Sequence, residues 1–341
     1  MTARQMAVQE RLQGWVEVGG KRLSAAEVEA ILREDPRRVR EWGGEFHLSW
    51  NGCTATDRLG LLGVPGPFGV ITCNGEVAGE VCPEAPDLGL EEALRTAVRL
   101  RADEGAVAFS GGVDSALVAA LAGLPCITVG LEGSHDLVRA EAAARALGLA
   151  WEGVTVTMDE VEAAVPRVVA AIPKVTPLDV SIAAGLFFVA RWAGEKGYRR
   201  VLAGQGADEL FGGYARYRTT PDVPAMLARD FASLRGQVLR DQAVARLHGT
   251  AFSLPYLDHR VVRAARAIPP DRVVSGEEGK IPLRELAARL LPPDIARAPK
   301  KAMQYGSGIA GTIRRLTRKN GYKRSVQGYL IRNPGEKDGL T

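Results

Sequence analysis

The chain has 341 residues, 25% of them charged and 46% apolar, with a net charge of +4 and four cysteines, which is an ordinary globular composition with room for two domains. A membrane span is excluded by the apolar runs: the best one, 182–192, is too short and ends in charge. Residues 1–20 carry Glu10 and Glu17 without a signal-like apolar core, and Cys53, Cys73, Cys82 and Cys126 form no Cys-x-x-Cys pair, so reduced thiols in the cytoplasm are expected rather than a disulfide framework or a zinc site.

The first 85 or so residues read as strands and turns with one short helix. Val16-Glu-Val18, Gly19-Gly20 and Lys21-Arg-Leu23 predict a hairpin. Ser24-Ala-Ala-Glu27 is a capping box, so a helix starts there and ends before Pro36. Phe46-His-Leu-Ser-Trp50 alternates and runs into Asn51-Gly52; Val70-Ile-Thr-Cys73 runs into Asn74-Gly75. Asn-Gly after an alternating run predicts a tight hairpin, because both turn positions need positive φ. Pro83, Pro86 and Gly89 punctuate the next stretch. A domain boundary falls there, giving a β-rich domain over 1–86, and a helix follows over 89–102.

From 105 the pattern becomes α/β. Short apolar strands at 106–109, 126–130, 154–156 and 201–203 alternate with helices at 115–122, 136–147, 159–172 and 181–196. That alternation predicts a doubly wound parallel sheet. Beyond 222 the chain reads as mainly helical. Residues 297–332 hold ten basic residues and no acidic one.

Ser110-Gly-Gly-Val-Asp-Ser115 falls between the first of these strands and its helix. Gly111 and Gly112 have no Cβ, so backbone N–H groups can approach a phosphate closely. The helix N-terminus adds unpaired N–H donors and partial positive charge. The Ser110 and Ser115 hydroxyls can donate to phosphate oxygens. Asp114 suits a polyphosphate only with a cation between them, most simply Mg²⁺. No Gly-Lys-Ser/Thr follows, so this is not a Walker loop. The plainer reading is a Ser/Gly N-cap turn with an incidental aspartate.

The six-residue string resembles the PP-loop of ATP pyrophosphatases, and residues 105–308 resemble the synthetase domain of the asparagine synthetase family, which includes β-lactam synthetase. Four further stretches carry the likeness: Val129-Gly-Leu-Glu-Gly-Ser-His-Asp136, Gly204-Gln-Gly-Ala-Asp-Glu-Leu-Phe-Gly-Gly-Tyr214, Pro255-Tyr-Leu-Asp-His-Arg260, and Lys280-Ile-Pro-Leu-Arg-Glu285 with Pro299-Lys-Lys-Ala-Met303. The resemblance implies an adenine nucleotide hydrolase-like fold over 87–310, followed by a basic tail over 311–341.

It also implies a reaction. ATP and Mg²⁺ activate a small-molecule carboxylate as an acyl-adenylate, pyrophosphate leaves, and an amine or ammonia displaces AMP to form an amide. Ser110, Gly111, Gly112, Asp114, Ser115, Val129, Gly130, Gly204 and Lys300 would bind nucleotide. Asp114 and Asp208 would hold the metal. Lys280, Asp208, Gln205 and Asp258 would serve the chemistry, with Lys280 donating to developing negative charge. Asp258 reads equally as a helix N-cap.

Two departures stand out. Gln205 replaces the family's usual Glu or Asp, and an amide neither acts as a base nor attracts an ammonium ion as a carboxylate does. Asp179 stands near the place where one branch carries an arginine. Aspartate as the substrate is therefore in doubt. Trp42-Gly-Gly-Glu-Phe-His-Leu-Ser-Trp50 and Asp57-Arg-Leu-Gly60 resemble the second half of the family's glutaminase domain, but Thr2 stands where its nucleophilic cysteine would follow Met1. The expectation is a chain that does not hydrolyse glutamine and takes its nitrogen elsewhere, including from a separate ammonia-supplying partner. The basic tail keeps one alternative open, a PP-loop enzyme that adenylates a nucleobase of tRNA. Cys126 reads as plain core, and His47, His135, His248 and His259 show no ligand spacing.

Overall fold

The computed structural model describes residues 12–276, 278–298, 306–322 and 325–331. In chain order its strands are β1 (Leu12–Val18), β2 (Lys21–Arg22), β3 (Gly43–Trp50), β4 (Cys53–Thr56), β5 (Val70–Cys73), β6 (Glu76–Glu80), β7 (Ala106–Ala108), β8 (Cys126–Gly130), β9 (Trp151–Thr155), β10 (Arg200–Leu202), β11 (Ala251–Ser253), β12 (Val274–Ser275) and β13 (Glu278–Gly279). The main helices are α1 (Ala25–Glu34), α2 (Leu90–Arg99), α3 (Val113–Ala122), α4 (His135–Leu147), α5 (Met158–Ala171), α6 (Pro177–Glu195), α7 (Ala207–Phe211), α8 (Val223–Arg246), α9 (His259–Arg266), α10 (Ile281–Leu290) and α11 (Ile309–Lys319). The chain folds into two compact units, neither a continuous stretch. Unit 1 comprises residues up to 103, 205–239 and 253–281; unit 2 comprises 104–204, 240–252 and the residues from 282 on.

Unit 1 is built on an antiparallel sheet in the order β2-β1-β3-β4-β5-β6. Both Asn-Gly turns form as their chemistry requires, with φ of 42° and 76° at Asn51 and Gly52 and of 52° and 88° at Asn74 and Gly75. The Ser24–Glu27 capping box starts α1. Trp42, Phe46, Leu48 and Trp50 alternate inward and pack with Val16, Val28 and Ile71.

The cysteine expectation is corrected here. Cys53 and Cys73 face each other across β4 and β5 and are joined as a disulfide, while Cys82 and Cys126 are free. The register set by two turns brings them together, and a separation of 20 residues hides that pairing in the sequence. Burial pushes the Cys126 thiol up to about 12, consistent with inert core.

Unit 2 is an α/β layer around the sheet ordered β11-β10-β7-β8-β9, in which β10, β7, β8 and β9 run parallel. The chain runs outward from β7 to β8 to β9, then returns to place β10 on the other side of β7. The winding direction therefore reverses between β7 and β10, which is where open α/β sheets bind ligands. Several boundaries differ from the sequence reading. Helix α3 begins at Val113, so Asp114 and Ser115 belong to its first turn. Helix α6 begins a turn earlier than expected, with Pro177 at N1 and Thr176 accepting from Asp179 N at 3.1 Å. Strand β9 begins at Trp151, whose indole N–H donates to Thr128 Oγ1 at 2.8 Å. Strand β11 interrupts the stretch read as helical. It has three residues and is recruited by pairing beside β10 rather than by its own pattern. No helix among the described residues is long and apolar enough to cross a membrane.

Candidate active site

In unit 2 the turn after β7 forms a compact cradle. Gly111 has φ 68°, and a Cβ there would press on Arg139 O and Ala140 Cα at 3.0 and 3.1 Å. Only glycine fits both demands. Ser115 Oγ accepts from Ser110 N at 3.1 Å, donates to Gly112 O at 3.1 Å and lies 3.1 Å from Ser110 Oγ. These bonds hold the loop closed before any ligand arrives. Gly112 is the N-cap of α3 and supplies no side-chain cap, so the first N–H groups of that helix are left to other acceptors. Asp114 points from the same turn. Gly204, just beyond β10, approaches so closely that a Cβ would sit 3.2 Å from Asp114 Cβ. The switch point thus gathers Ser110, Gly111, Gly112, Asp114, Ser115 and Gly204.

Val129 and Gly130 end β8. A side chain at Gly130 would strike Ser134 Oγ in the following turn. Arg139 was not singled out from the sequence. Its Nε donates to Gly111 O at 3.2 Å, which ties α4 to the cradle. Burial lowers its guanidinium against the opposing pull of Asp136 and Asp114. The signal was present as spacing: Arg139 follows Asp136 by three residues and so shares its helix face. Asp179 is engaged by Arg240 Nη1 at 3.1 Å and by Thr176 Oγ1 at 2.6 Å, so this carboxylate is matched by an arginine of the same unit.

In unit 1 the motif Gly206-Ala-Asp-Glu-Leu-Phe-Gly-Gly-Tyr214 becomes a short helix with glycine at each end. Gly206 (φ 90°) is the N-cap of α7 and Gly212 (φ 66°) its C-cap. Lys280 Nζ lies 2.6 Å from Asp208 Oδ1, and Lys280 is 3% exposed. Lys280 is held at φ 60°, a left-handed conformation that costs a non-glycine residue free energy, and its N–H donates to Phe211 O at 2.9 Å. A Cβ at Gly213 would collide with the Asp208 carboxylate and Lys280 Cε, and one at Gly279 would collide with Gly212 O. The paired glycines make the space in which this ion pair forms. Glu209 is buried and accepts from Tyr214 Oη at 2.7 Å and Gln237 Nε2 at 3.0 Å. Burial, reinforced by the Glu209 and Asp208 charges, pushes the Tyr214 phenol well up, so it remains a donor.

Gln205 is half-buried in the turn that enters α7. Asp258 is the N-cap of α9, accepting from Arg260 N at 3.0 Å, and it also pairs with Arg101 Nη1 at 2.9 Å. Arg101 in turn holds Glu45, and Arg260 holds Glu17 at 2.8 Å. The structure therefore places Asp258 inside a buried ion network of unit 1. Lys300 lies outside the described residues, as does Thr2.

The parallel α/β sheet of unit 2 thus carries, at its switch point, a Gly-rich turn and helix N-terminus of a kind suited to anions. Comparison with known proteins makes this specific: the asparagine synthase family model matches residues 89–231 and 218–333, and the chain belongs to that family. A putative glutamine-hydrolysing asparagine synthetase 1 of Methanocaldococcus jannaschii is 32% identical over 289 residues, 71% of this chain and 53% of that protein. The asparagine synthetase of Bos taurus is 28% identical over 241 residues, 65% of this chain and 42% of that one. The chain spans about half the length of these relatives. Among solved structures, NMN synthetase from Francisella tularensis is similar with 13% identity and a TM-score of 0.29, covering 70% of this chain and 98% of that one.

Proposed function

We propose that this chain is an ATP-dependent, amide-forming ligase without glutaminase activity of its own. A carboxylate oxygen of the substrate attacks the α-phosphorus of ATP, the α–β bridging bond breaks, and pyrophosphate leaves. An amine or ammonia nitrogen then attacks the acyl carbon, and the bond to AMP breaks. The observation that carries this reading is the Ser110–Ser115 cradle at the carboxyl end of β7, at the point where the sheet reverses its winding. Its backbone donors suit pyrophosphate. Lys280 is assigned to charge developing on the reacting phosphate.

Among the described residues no three His, Cys, Asp or Glu side chains gather as a metal site. Mg²⁺ is commonly held by one or two carboxylates and completed by substrate phosphates, so the hard oxygens of Asp114, beside the cradle of unit 2, fit it. When bound, the ion would neutralise charge on the departing pyrophosphate. Asp258 is assigned a positioning role through Arg101. Gln205, which carries no charge, supports a substrate other than aspartate. Residues 1–86 are assigned as a glutaminase-like domain, and the nitrogen is assigned to free ammonia, an amine or a separate partner. The proposal keeps the reaction in the cytoplasm, where ATP is supplied.

The exposed basic face of α11 (Arg314, Arg315, Arg318) favours a second reading, in which the adenylated group is a tRNA base. One assay separates the two. Pyrophosphate release from ATP and Mg²⁺ is measured with pooled cell metabolites and, separately, with total tRNA, for wild type and Asp114→Ala. Release that needs Asp114 and small metabolites supports the ligase. Release only with tRNA supports base modification. No release with either, despite ATP binding, removes both.

A further inference from the structure

Unit 1 contains a cavity of about 620 Å³ that includes neither Lys280 nor Asp208 in its walls. The volume lies within the range of small-molecule sites. Its apolar lining includes Trp42, Leu61, Leu257, Val262 and Phe231.

Its lining is also cationic. Arg58, Arg263 and Arg266 all line it. The guanidinium of Arg266 stacks 4.7 Å from the Phe231 ring centroid, and Arg263 Nη1 donates to Ala85 O. Both partners also line the cavity, so both heads lie at its wall. Among the described residues, none of the three arginines enters an ion pair.

The acids at this cavity do not balance the arginines. Asp258 is committed to Arg101 and Arg260. Asp57 accepts from the N–H groups of Phe46, Leu59 and Leu61 at 3.2, 3.1 and 2.9 Å. Burial pushes the Asp57 carboxyl up to about 7 against those N–H groups, with Glu45 adding to the rise. Burial holds the His259 imidazole below its ordinary value, against the pull of Asp258 and Glu17, so it adds little charge.

We propose that unit 1 carries a second ligand site, for a small organic anion whose carboxylate or phosphate rests on Arg58, Arg263 and Arg266 while its apolar body lies against Trp42, Leu257 and Phe231. Guanidinium forks suit both oxyanions, because each presents paired donors to paired oxygens. This goes beyond the adenylation reading and does not depend on it.

Calorimetric titration of the full chain tests the site with phenyl phosphate and phthalate, using inorganic phosphate and benzyl alcohol as controls. An aryl anion binds wild type, benzyl alcohol does not, and the tighter of the two anions names the oxyanion preferred. Arg263→Glu with Arg266→Glu, both exposed positions, weakens that binding at least about tenfold. Val262→Trp, which fills the cavity without altering charge, weakens it comparably. Circular dichroism and melting verify that each variant is folded. The proposal is overturned if neither aryl anion binds wild type. It is equally overturned if inorganic phosphate binds as tightly as phenyl phosphate, or if binding survives in a folded Val262→Trp variant.

Discussion

Lys280 Nζ and Asp208 Oδ1 lie 2.6 Å apart, and the pair exists because Gly213 beside it has no side chain. A methyl at 213 occupies the space of both groups, so Gly213→Ala is expected to cut ATP-dependent pyrophosphate release about as deeply as Lys280→Ala, by about 10²–10³-fold. Gly236, in α8, is the matched control: a Cβ there meets nothing within 4 Å. Gly236→Ala therefore leaves activity unchanged and raises stability by about 0.5–1 kcal/mol, read from urea unfolding. Equal activity loss at both glycines would remove the link between Gly213 and the ion pair.

Arg139 ties α4 to the Gly111 carbonyl and adds positive charge beside the cradle. Arg139→Ala is expected to weaken pyrophosphate binding about tenfold or more in calorimetry, since a charged hydrogen bond contributes about 1.5–3 kcal/mol. Arg139→Lys restores part of it as a point charge without the fork. Unchanged affinity in both variants would leave Arg139 with a purely local packing role.

The buried network predicts acid lability. Burial by itself would raise Glu45 and Asp258, but both stay below their ordinary values. Burial is the largest single influence at each, and only the Arg101 charge together with Ser253 and Leu254 at Glu45, or with His259 and Arg260 at Asp258, outweighs it. Groups with depressed folded-state pKa values contribute stability that is fully present above the unfolded carboxylate range, near pH 4, and is lost as pH falls through it. Urea unfolding is therefore expected to show this network's contribution falling as pH drops below that range, against the opposite trend from Asp57, whose raised carboxyl loses stability as pH rises toward 7. Arg101→Met leaves two buried carboxylates unmatched. It should cost about 3–5 kcal/mol at neutral pH and move the acid loss to higher pH.

The Cys53–Cys73 bond closes a loop across adjacent strands. Cys53→Ser is expected to lower stability by about 3 kcal/mol, the loop-closure entropy for this length. Alkylation of the native chain without reductant should label exposed Cys82 but neither Cys53 nor buried Cys126. Labelling of Cys53 under those conditions would show that the bond is absent in solution.

Local chemistry made much of this protein legible from its residues alone. Asn51-Gly52 and Asn74-Gly75 specify turns because both positions need positive φ. The Ser24–Glu27 box specifies a helix start because it satisfies N–H groups within one turn. The strand, Gly-rich turn and helix around Ser110–Ser115 mark an anion cradle for the same local reason. Tertiary structure alone decided which separated groups meet. Cys53 reaches Cys73 only through strand register, and β11 becomes a strand only because β10 offers it a pairing edge. Asp258 joins Arg101 across 157 residues, and Lys280 meets Asp208 only where Gly213 leaves room. Turns and caps are satisfied by neighbours in the chain, whereas ion pairs, disulfides and edge pairing depend on register and packing that no short window of sequence contains.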